Sequence, residues 1–458
     1  MACIKGPRCQ GCPALGWGPF MVPDEVKPDA KVVVVAQNPG ADEERGQKFL
    51  GWAGGGERWV NHPPAPLIGK SGREVRHEFL PLAGLTGEDV ECRNVVRCRW
   101  RGGNDLPPLA QSGIREVIRH CQRAYWKEPR QGQKIVALGA YSLWALTGEF
   151  GAEGAEEDDD ARANRGIDGW RGWVVPYAPT HQAGDEETRV GEVFATYHPA
   201  FFYRAHWLKP VGKMDWHRVG RWVRGQWPEA RPRIDQGPAV WPASLAYDTE
   251  YWPTTGQLIR ASTAWRAPDD MPRVHVVEAQ DLRHLGPAPR HVIQHNAEAD
   301  WQYLTAVFGG AWDARDLGGW DDTMYAHAVL YGTWRHTLDF LGSLYARTNR
   351  WKQLEQTEPI IYSGLDALGT WDVWGALARE LASDPKSSEV YHGELKPLLY
   401  HLLRRASIRV HTDRVARAVG EYQVRQQEAV TKGEAAAGWP LKVSSADQVA
   451  RWIGVKGA

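Results

Sequence analysis

Short continuous apolar runs alternate with helical stretches in the first 225 residues of the chain. The clearest run is KVVVVA at 31–36, which is rich in β-branched residues and ends just before Asn38. A run of this kind predicts a strand that is buried on both faces, as in a parallel sheet. Similar runs occur at 92–96, 134–138 and 193–197. The alternation predicts a three-layer α/β domain, whose ligands bind at the carboxyl ends of the strands.

Two breaks in this pattern divide the chain. Residues 149–192 are acidic and Gly-rich, which indicates a solvated insertion with no site in its acidic run. Residues 231–242 are Pro-rich without periodicity, as expected of an extended linker. We therefore expect one domain at 1–230 and a second at 243–385. From 386 to 458 the pattern turns helical.

Length and charge limit the possible partners. A chain of 458 residues is too long for one compact core and indicates two to four domains. The formal net charge is −1, so no global positive field attracts nucleic acid. Local basic segments at 97–101, 217–227 and 402–409 could contact phosphates, but each could equally be an ordinary solvated face.

Cysteine usage indicates a reducing compartment. The N-terminal residues lack a signal peptide, and no run of about 18 apolar residues predicts a membrane span. The default location is the cytoplasm, where six cysteines are metal ligands or buried thiols rather than disulfides. Four thiolates suit zinc or an iron–sulfur cluster, and their spacing does not choose between the two. These are Cys9, Cys12, Cys98 and Cys121.

An ordered set of carboxylates indicates two-cation chemistry. Asp248 and Glu250 lie two apart on the predicted strand SLAYDTEYW and therefore project from one face. Further along, two aspartates each follow a polar residue by four positions, the spacing of one helical face. In the first pair the polar residue would hold the local backbone, and in the second it would orient the attacking water. These pairs are Asn296 with Asp300, and Tyr362 with Asp366. Carboxylates that hold two divalent cations predict metal-dependent phosphodiester hydrolysis.

These residues resemble those of the DnaQ-like proofreading 3′–5′ exonucleases, in the variant with a tyrosine before the last aspartate. The resemblance covers about 243–380 and includes the flanking segments WDDTMYAHAVL and HTLDFLGSLY. It implies a ribonuclease H-like fold with two Mg²⁺ or Mn²⁺ ions. By this resemblance Asp248, Glu250, Asp300 and Asp366 bind the metals, and Tyr362 orients the attacking water.

The N-terminal segments AQNPGADEERGQKFLGWAG, RNVVRCRW and TYHPAFFYR resemble the ordered motifs of the uracil-DNA glycosylase superfamily. The resemblance covers about 1–225 and is closest to the family 4 and 5 enzymes, which hold a [4Fe–4S] cluster. It implies that Cys9, Cys12, Cys98 and Cys121 bind the cluster. Cys3 and Cys92 then lack a role, although Cys3 could replace Cys9.

The same resemblance implies roles in a uracil pocket. Asn94 would read the base edge, and His198 would stabilise the charge on the departing uracil. Gln37 would also contact the substrate. Phe49 in GQKFLGWAG would stack on the base, with Leu67 in PLIGKSG as the rival after an apparent insertion.

The first loop departs from the family 4 pattern. Its residues are Ala36-Gln37-Asn38-Pro39-Gly40, where many family 4 enzymes have Gly-Glu-Ala-Pro-Gly. Asn38 resembles the mismatch-specific glycosylases, in which an amide positions water without acting as a base. We therefore expect slow turnover unless Asp42 or Glu43 assists.

The helical segment at 386–458 resembles the start of the polymerase region of family A DNA polymerases, including the helix that enters the thumb. The resemblance rests on SEVYHGELKPLLYHLLRRASIRVHTDRV and PLKVSSADQVARWIGV. No palm aspartates or fingers helix follow, so the chain should not polymerise by itself and could partner a separate palm and fingers subunit. The alternative is an unrelated helical tail.

Taken together, the resemblances imply a phage-like DNA replication and repair enzyme in a bacterial or phage-infected cell. Its partners would be single-stranded 3′ ends, uracil-containing DNA and other replication proteins. One hypothesis is a bifunctional enzyme that excises uracil and trims 3′ ends. The other is an exonuclease that carries a non-catalytic uracil-sensing or partner-docking module.

Overall fold

The computed structural model describes most of the chain in two units. Residues 1–398 form one compact unit and residues 399–458 form another. We call 3–230 the N-terminal lobe and 231–398 the second lobe. The described residues are 3–53, 56–102, 106–107, 113–148, 166–182, 191–236, 242–284, 289–303, 319–403, 412–440, 448 and 452.

The strands are β1 Cys3–Ile4, β2 Phe20–Met21, β3 Val32–Ala36, β4 Gln47–Ala53, β5 Gly56–Asn61, β6 Val90–Asn94, β7 Lys134–Leu138, β8 Val174–Pro176, β9 Glu192–Thr196, β10 Ile234–Asp235, β11 Ser244–Tyr251, β12 Leu258–Arg266, β13 Pro272–Glu278, β14 His291–Gln294 and β15 Trp320–Asp322.

The helices are α1 Ala41–Arg45, α2 Lys70–Glu74, α3 Leu80–Leu82, α4 Ile114–Tyr125, α5 Ala140–Thr147, α6 Ile167–Trp170, α7 Lys209–Val223, α8 Ala297–Asp300, α9 Thr323–Leu330, α10 Leu338–Tyr345, α11 Pro359–Ser383, α12 Pro385–Glu389, α13 Lys396–Leu403 and α14 Thr412–Ala437.

The N-terminal lobe is built on a five-stranded sheet in the order β6-β3-β7-β9-β8. The first four strands are parallel, and β8 runs antiparallel to β9. Val32 and Val34 of β3 contribute to one apolar core, whereas Val33 and Val35 contribute to another. The sheet is therefore covered on both faces, which confirms the predicted α/β layering. The predicted strand at 92–96 begins two residues earlier, at Val90.

Part of the predicted insertion belongs to the sheet. Within 149–192 the structure describes 166–182, where α6 precedes the edge strand β8. Trp173 is only 1% exposed, and Val174 and Val175 are also buried. The prediction of a solvated segment is wrong for these residues because their apolar run packs on β9. Residues 149–165, with most of the acidic run, and residues 183–190 lie outside the described part of the chain.

The second lobe contains a six-stranded sheet in the order β10-β13-β12-β11-β14-β15. Strands β11, β12 and β13 are antiparallel, whereas β14 and β15 continue parallel to β11. Edge strand β10 comes from the predicted linker 231–242 and pairs parallel with β13. Two residues of that linker therefore form a strand, while residues 237–241 lie outside the described part.

A buried ion pair of the N-terminal lobe lies at the interface with the second lobe. Arg171 and Asp215 of the N-terminal lobe are both fully buried, with Nη2 of the arginine 2.6 Å from Oδ1 of the aspartate. Nη1 of Arg171 donates to Oγ of Ser343 in the second lobe at 2.9 Å. Arg218 donates across the same interface to the carbonyl oxygens of Gly342 and Ala346 at 2.9 and 3.0 Å. Arg218 is therefore a structural residue, although it lies in the basic segment 217–227.

Tryptophan side chains fill the remainder of this interface. Trp173 of the N-terminal lobe packs edge to face against Trp351 of the second lobe, with ring centroids 5.7 Å apart. The Arg218 guanidinium lies 4.2 Å from the ring centroid of Trp227. A Cβ atom on Gly342 would lie 2.7 Å from the Trp351 ring. The lobes thus contact each other through large rings that leave no room for extra atoms.

The predicted domain boundary at 386 differs from the structural one. Residues 386–398 belong to the first unit, in which the Tyr391 hydroxyl and the Lys396 ammonium both donate to Oδ1 of Asp321 at 3.1 and 2.9 Å. The second unit contains α14, a helix that agrees with the predicted helical pattern. Segment 404–411 and most of 440–458 lie outside the described residues. Within the described part of the chain, no helix is long and apolar enough to cross a membrane.

We expect Asp215→Asn to lower the free energy of unfolding of the whole chain by about 3–5 kcal/mol, because Arg171 would remain buried without its counter-charge. Urea unfolding would measure this loss. Asp235→Asn is the matched control, since Asp235 pairs with the highly exposed Arg233. This variant should lose less than about 1 kcal/mol of unfolding free energy. Equal losses in the two variants would contradict the role assigned to the buried pair.

Candidate active sites

Three carboxylates converge at one end of the second sheet. Strand β11 carries Asp248 and Glu250, and helix α11 carries Asp366. One oxygen from each of the three lies within 4.8 Å of the others. They line a cleft of about 760 Å³, which also receives Asp300 and Asn296. Residues far apart in the sequence are therefore brought together as predicted, with ligand atoms close enough to hold a metal ion.

Asp300 is held by strand β11. Strand β14 pairs with β11 only from Ser244 to Ala246, so the later backbone N–H groups of β11 need other partners. Asp300 accepts hydrogen bonds from both the hydroxyl and the backbone N–H of Thr249. The fourth carboxylate thus lies beside the Asp248–Glu250 pair because of this hydrogen bonding, with only a short helix to support it.

Asp322 fixes the turn that delivers Asp300. Its carboxylate accepts from the backbone N–H groups of Asn296 and Ala297 at 3.3 and 2.6 Å, and it also caps helix α9. Asn296 has a left-handed φ of 61°, a conformation that asparagine tolerates better than most residues. The predicted backbone role of Asn296 is therefore shared with an aspartate from the neighbouring strand.

Crowding raises the pKa values of these acids. Burial, together with the charges of Asp366 and Asp300, raises the pKa of Asp248 well above its usual value. Burial and Asp366 raise the pKa of Glu250 to about 7. Burial also raises the pKa of Asp300 to about 7, although its hydrogen bonds from Thr249 oppose the shift. Such a cluster needs added positive charge to ionise fully, and divalent cations supply that charge.

Two residues beside Asp366 were missed by the sequence reasoning. The Nε1–H of Trp351 donates to Oδ1 of Asp366 at 2.6 Å, and the Lys352 ammonium donates to the same oxygen. Lys352 also lies 3.3 Å from the hydroxyl of Tyr362, which lines the cleft as predicted. Burial raises the pKa of Tyr362, so the phenol keeps its proton and can donate a hydrogen bond.

A second cavity, of about 280 Å³, lies at the carboxyl ends of the first sheet. Gln37 and Asn38 reach it from the loop after β3, and His198 reaches it from the loop after β9. This is the edge where parallel α/β sheets bind ligands. The structure therefore brings these three predicted residues to one concave site.

Phe49 does not line this cavity. It is buried in the hairpin of β4 and β5, where its ring lies 4.7 Å from that of Trp52 and 4.8 Å from that of Trp59. Leu67 lines the cavity instead, with a left-handed φ of 55°. Of the two candidates that the sequence offered for stacking on the base, Leu67 lines the cavity and Phe49 does not.

Gly72 permits this placement of Leu67. A Cβ atom at position 72 would lie 1.7 Å from the carbonyl oxygen of Leu67, much closer than atoms can approach. The glycine of PLIGKSG therefore shapes the cavity wall through its missing side chain.

Asn94 and His198 present hydrogen-bonding groups near the cavity. Asn94 ends strand β6 beside Ala36, which lines the cavity, and its buried Nδ2 has no hydrogen-bond partner among the described residues. His198 accepts a hydrogen bond at Nδ1 from the backbone N–H of Ala200 at 3.2 Å. An acceptor Nδ1 requires the neutral ring to carry its hydrogen on Nε2.

The two acids of the first loop have different surroundings. Asp42 and Glu43 both line the cavity, and Asp42 lies 3.5 Å from Arg45. Burial raises the pKa of Glu43 to about 7, while hydrogen bonds from the backbone N–H groups of Gly40, Leu67 and Ile68 oppose the shift. Glu43 therefore ties the first loop to the segment that carries Leu67.

The four predicted metal-binding cysteines surround one small cavity of about 20 Å³. Cys9 lies 3.1 Å from the hydroxyl of Tyr125, and the sulfur of Cys121 accepts from the backbone N–H of Arg97 at 3.4 Å. Burial raises the pKa of Cys98 to about 11 and that of Cys121 to about 12. The set is Cys9, Cys12, Cys98 and Cys121.

The remaining cysteines lie outside this set. Cys92 is buried in β6, 3.5 Å from Nη2 of Arg76, and burial raises its pKa to about 12. The side chain of Cys3 lies outside the described part of the chain. Its predicted exchange with Cys9 stays a prediction.

The residues that the sequence reasoning missed differ in how clearly the sequence indicates their roles. Asp322 precedes a helical run in WDDTMYAHAVL, a pattern typical of an N-cap. Thr249 has no such signal, because its role depends on where β14 stops pairing. Lys352 precedes α11 in NRWKQLEQT, and no spacing rule connects it to Asp366.

Comparisons with known proteins concern the N-terminal lobe. Residues 23–223 match the model of the uracil DNA glycosylase superfamily. A type-4 uracil-DNA glycosylase of Pyrobaculum aerophilum is 30% identical over 145 residues, which cover 30% of this chain and 59% of that protein. The chain thus spans less than two thirds of this relative. Over residues 23–223, the N-terminal lobe is therefore similar to the uracil DNA glycosylase superfamily.

Proposed function

We propose that this protein processes DNA at two sites, recognising or excising uracil in the N-terminal lobe and hydrolysing 3′ ends in the second. The superfamily match supports the first activity. The observation that carries the second is the convergence of Asp248, Glu250 and Asp366 within 4.8 Å, with Asp300 in the same cleft. Exonuclease activity and the ribonuclease H-like class of the second lobe are proposals.

The residues of the N-terminal cavity suit uracil. Nδ2 of Asn94 would donate to uracil O4 and Oδ1 would accept from N3–H, whereas cytosine has the opposite pattern at these atoms. Leu67 would pack against the face of the extruded base. His198 would donate from Nε2–H to O2, where negative charge grows as the N-glycosidic bond breaks. With Nδ1 accepting from the Ala200 N–H, the neutral ring carries its hydrogen on Nε2.

The source of the attacking water limits the excision rate. Asn38 can hold a water molecule by hydrogen bonds but cannot take its proton. Asp42 and Glu43 also line the cavity and could take the proton, and burial raises the pKa of Glu43 to about 7. Because Asn38 itself supplies no base, we propose slow excision, and uracil sensing without excision is the alternative.

The four cysteines fit an iron–sulfur cluster. A search of the His, Cys, Asp and Glu side chains among the described residues finds three possible ligand atoms within 4.8 Å of one another only at Asp248, Glu250 and Asp366. No three of these sulfurs are therefore that close together, whereas tetrahedral zinc with Zn–S bonds of about 2.3 Å needs sulfurs roughly 4 Å apart. A [4Fe–4S] cluster separates its ligands more widely, and we propose that it has a structural role here.

The carboxylate cleft suits hydrolysis of a terminal phosphodiester. Two Mg²⁺ or Mn²⁺ ions, when bound, would activate water and stabilise the leaving 3′ oxygen. Asp248, Glu250, Asp300 and Asp366 would hold them. The Tyr362 phenol would orient the attacking water, and the Lys352 ammonium would contact the developing negative charge on the phosphate. The products are a nucleoside 5′-monophosphate and a strand shortened by one nucleotide.

Residues 386–458 keep the proposed relation to the start of a family A polymerase. This relation rests on the sequence resemblance alone. The cytoplasmic location also stays a prediction.

For the second lobe, we expect a 5′-labelled single strand to be shortened from its 3′ end in Mg²⁺ and to stay intact in EDTA. Asp248→Ala and Asp300→Ala should each lower the rate at least about 100-fold, because each removes a metal ligand. Asp269→Ala, at an exposed position outside the cleft that pairs with Arg273, should retain the wild-type rate. Undiminished cutting in both cleft variants would refute the metal assignment.

For the N-terminal lobe, we expect a uracil-containing oligonucleotide to acquire alkali-labile abasic sites, while its cytosine counterpart does not. Asn94→Ala should reduce the preference for uracil over cytosine at least about tenfold, because it removes the groups that read the base edge. His62→Ala, in the exposed segment after β5, is the control. If uracil binds preferentially but no abasic site forms, excision is refuted and the sensing alternative holds.

For the cysteines, we expect a brown protein with absorbance near 400 nm. Cys98→Ser should lose this absorbance, whereas Cys92→Ser should keep it because Cys92 lies apart from the other four. Iron and zinc content measured on the same samples would separate the metals. A colourless wild-type protein with one zinc per chain would overturn the cluster.

A further inference from the structure

A second groove continues from the carboxylate cleft toward the N-terminal lobe. It encloses about 900 Å³ and shares Lys352, Glu355 and Tyr362 with the cleft, so the two spaces are continuous. One wall comes from Asp168 and Gly169 of the N-terminal lobe. A strand whose end lies in the cleft therefore has an enclosed path along the junction of the lobes.

Cationic and planar side chains line this path. Arg335 and Arg350 provide guanidinium groups that can contact phosphates, and His336 and Phe340 provide rings. The Arg350 guanidinium is held 4.3 Å from the ring centroid of Trp170, which belongs to the N-terminal lobe. Both lobes thus contribute to the arrangement of the groove.

The charges of the groove are balanced. Arg335 lies 3.0 Å from Asp168, and Arg350 lies 3.9 Å from Asp339. A general attraction for duplex DNA would need a uniformly basic surface. Single-strand sites instead use rings on which bases stack, beside cations that contact phosphates, and this groove contains both kinds of side chain.

The far end of the groove meets the loop that carries His198. Asp168 accepts a hydrogen bond from Arg335 on one oxygen, and on the other it accepts from the Tyr197 hydroxyl at 2.6 Å. Tyr197 immediately precedes His198 in the uracil cavity. One carboxylate therefore bridges a groove cation and the recognition loop.

Two exposed rings continue the path along this loop. Tyr203 lines the uracil cavity and is 54% exposed, and Trp207 is 47% exposed. The backbone carbonyl of Trp207 accepts from Nε1–H of Trp334 in the second lobe at 3.0 Å, which fixes the loop beside the groove. Exposed rings held in place at this position are suited to stack on bases.

We propose that this groove binds single-stranded DNA, so that one strand runs from the carboxylate cleft to the His198 loop and spans both sites. Arg335 contacts a phosphate midway, and Trp207 stacks on a base near the uracil cavity. This proposal rests on the proposed function for its ligand class, since both ends of the path are DNA sites there.

The test measures binding alone, so that failure of either catalytic activity does not affect it. Fluorescence anisotropy in EDTA would give the affinities of the whole chain for a thymidine 4-mer and a thymidine 16-mer. Wild-type protein should bind the 16-mer at least about tenfold more tightly, because only the longer strand reaches the loop. Arg335→Gln and Trp207→Ala should each reduce the ratio of the two affinities about fivefold or more, as expected for losing a phosphate contact or a stacked base.

Arg233→Gln is the matched control, because it removes an equal charge at a highly exposed position outside the groove. It should keep the wild-type ratio, and thermal unfolding would verify that all variants are folded. Wild-type-like ratios in both groove variants would overturn the proposal. So would a 16-base-pair duplex that competes as well as the single strand.

Discussion

The relative position of the two lobes depends on one buried charge pair. Arg171 and Asp215 lose their hydration completely, and their mutual attraction recovers only part of that cost. Such a pair adds little net stability, but it tolerates few alternative arrangements because each lost hydrogen bond leaves a buried charge. The hydrogen bond from Arg171 to Ser343 extends this constraint across the interface. The pair therefore sets geometry more than it adds stability.

The same interface reaches the carboxylate cleft through Trp351. The Trp351 ring packs against Trp173 of the N-terminal lobe, and its Nε1–H donates a hydrogen bond to the carboxylate of Asp366. Cβ atoms on Gly342 or Gly369 would collide with the ring, so its orientation is determined on several sides. The carboxylate of Asp366, a proposed metal ligand, is thus oriented by packing that begins in the other lobe.

The local sequence pattern was sufficient to predict the structure where one physical effect dominates. The β-branched run of β3 predicted a strand buried on both faces, and the spacing of Tyr362 and Asp366 predicted one helical face, because burial and periodicity leave few alternatives. Phe49 and Leu67 could not be distinguished, since the choice depends on how the β4–β5 hairpin folds. Arg171 and Trp173 were hidden beside an acidic stretch, and their burial depends on a partner lobe far along the chain.

The packed interface between the lobes also bears on the distance between the two sites. The N-terminal cavity and the carboxylate cleft lie in lobes that are joined by buried hydrogen bonds, and these bonds restrain the distance between the two sites. A strand that spans both sites must contain a constant number of nucleotides between a uracil in one and the terminal phosphodiester in the other. The protein would then act as a molecular ruler, reporting uracil at one defined distance behind a 3′ end.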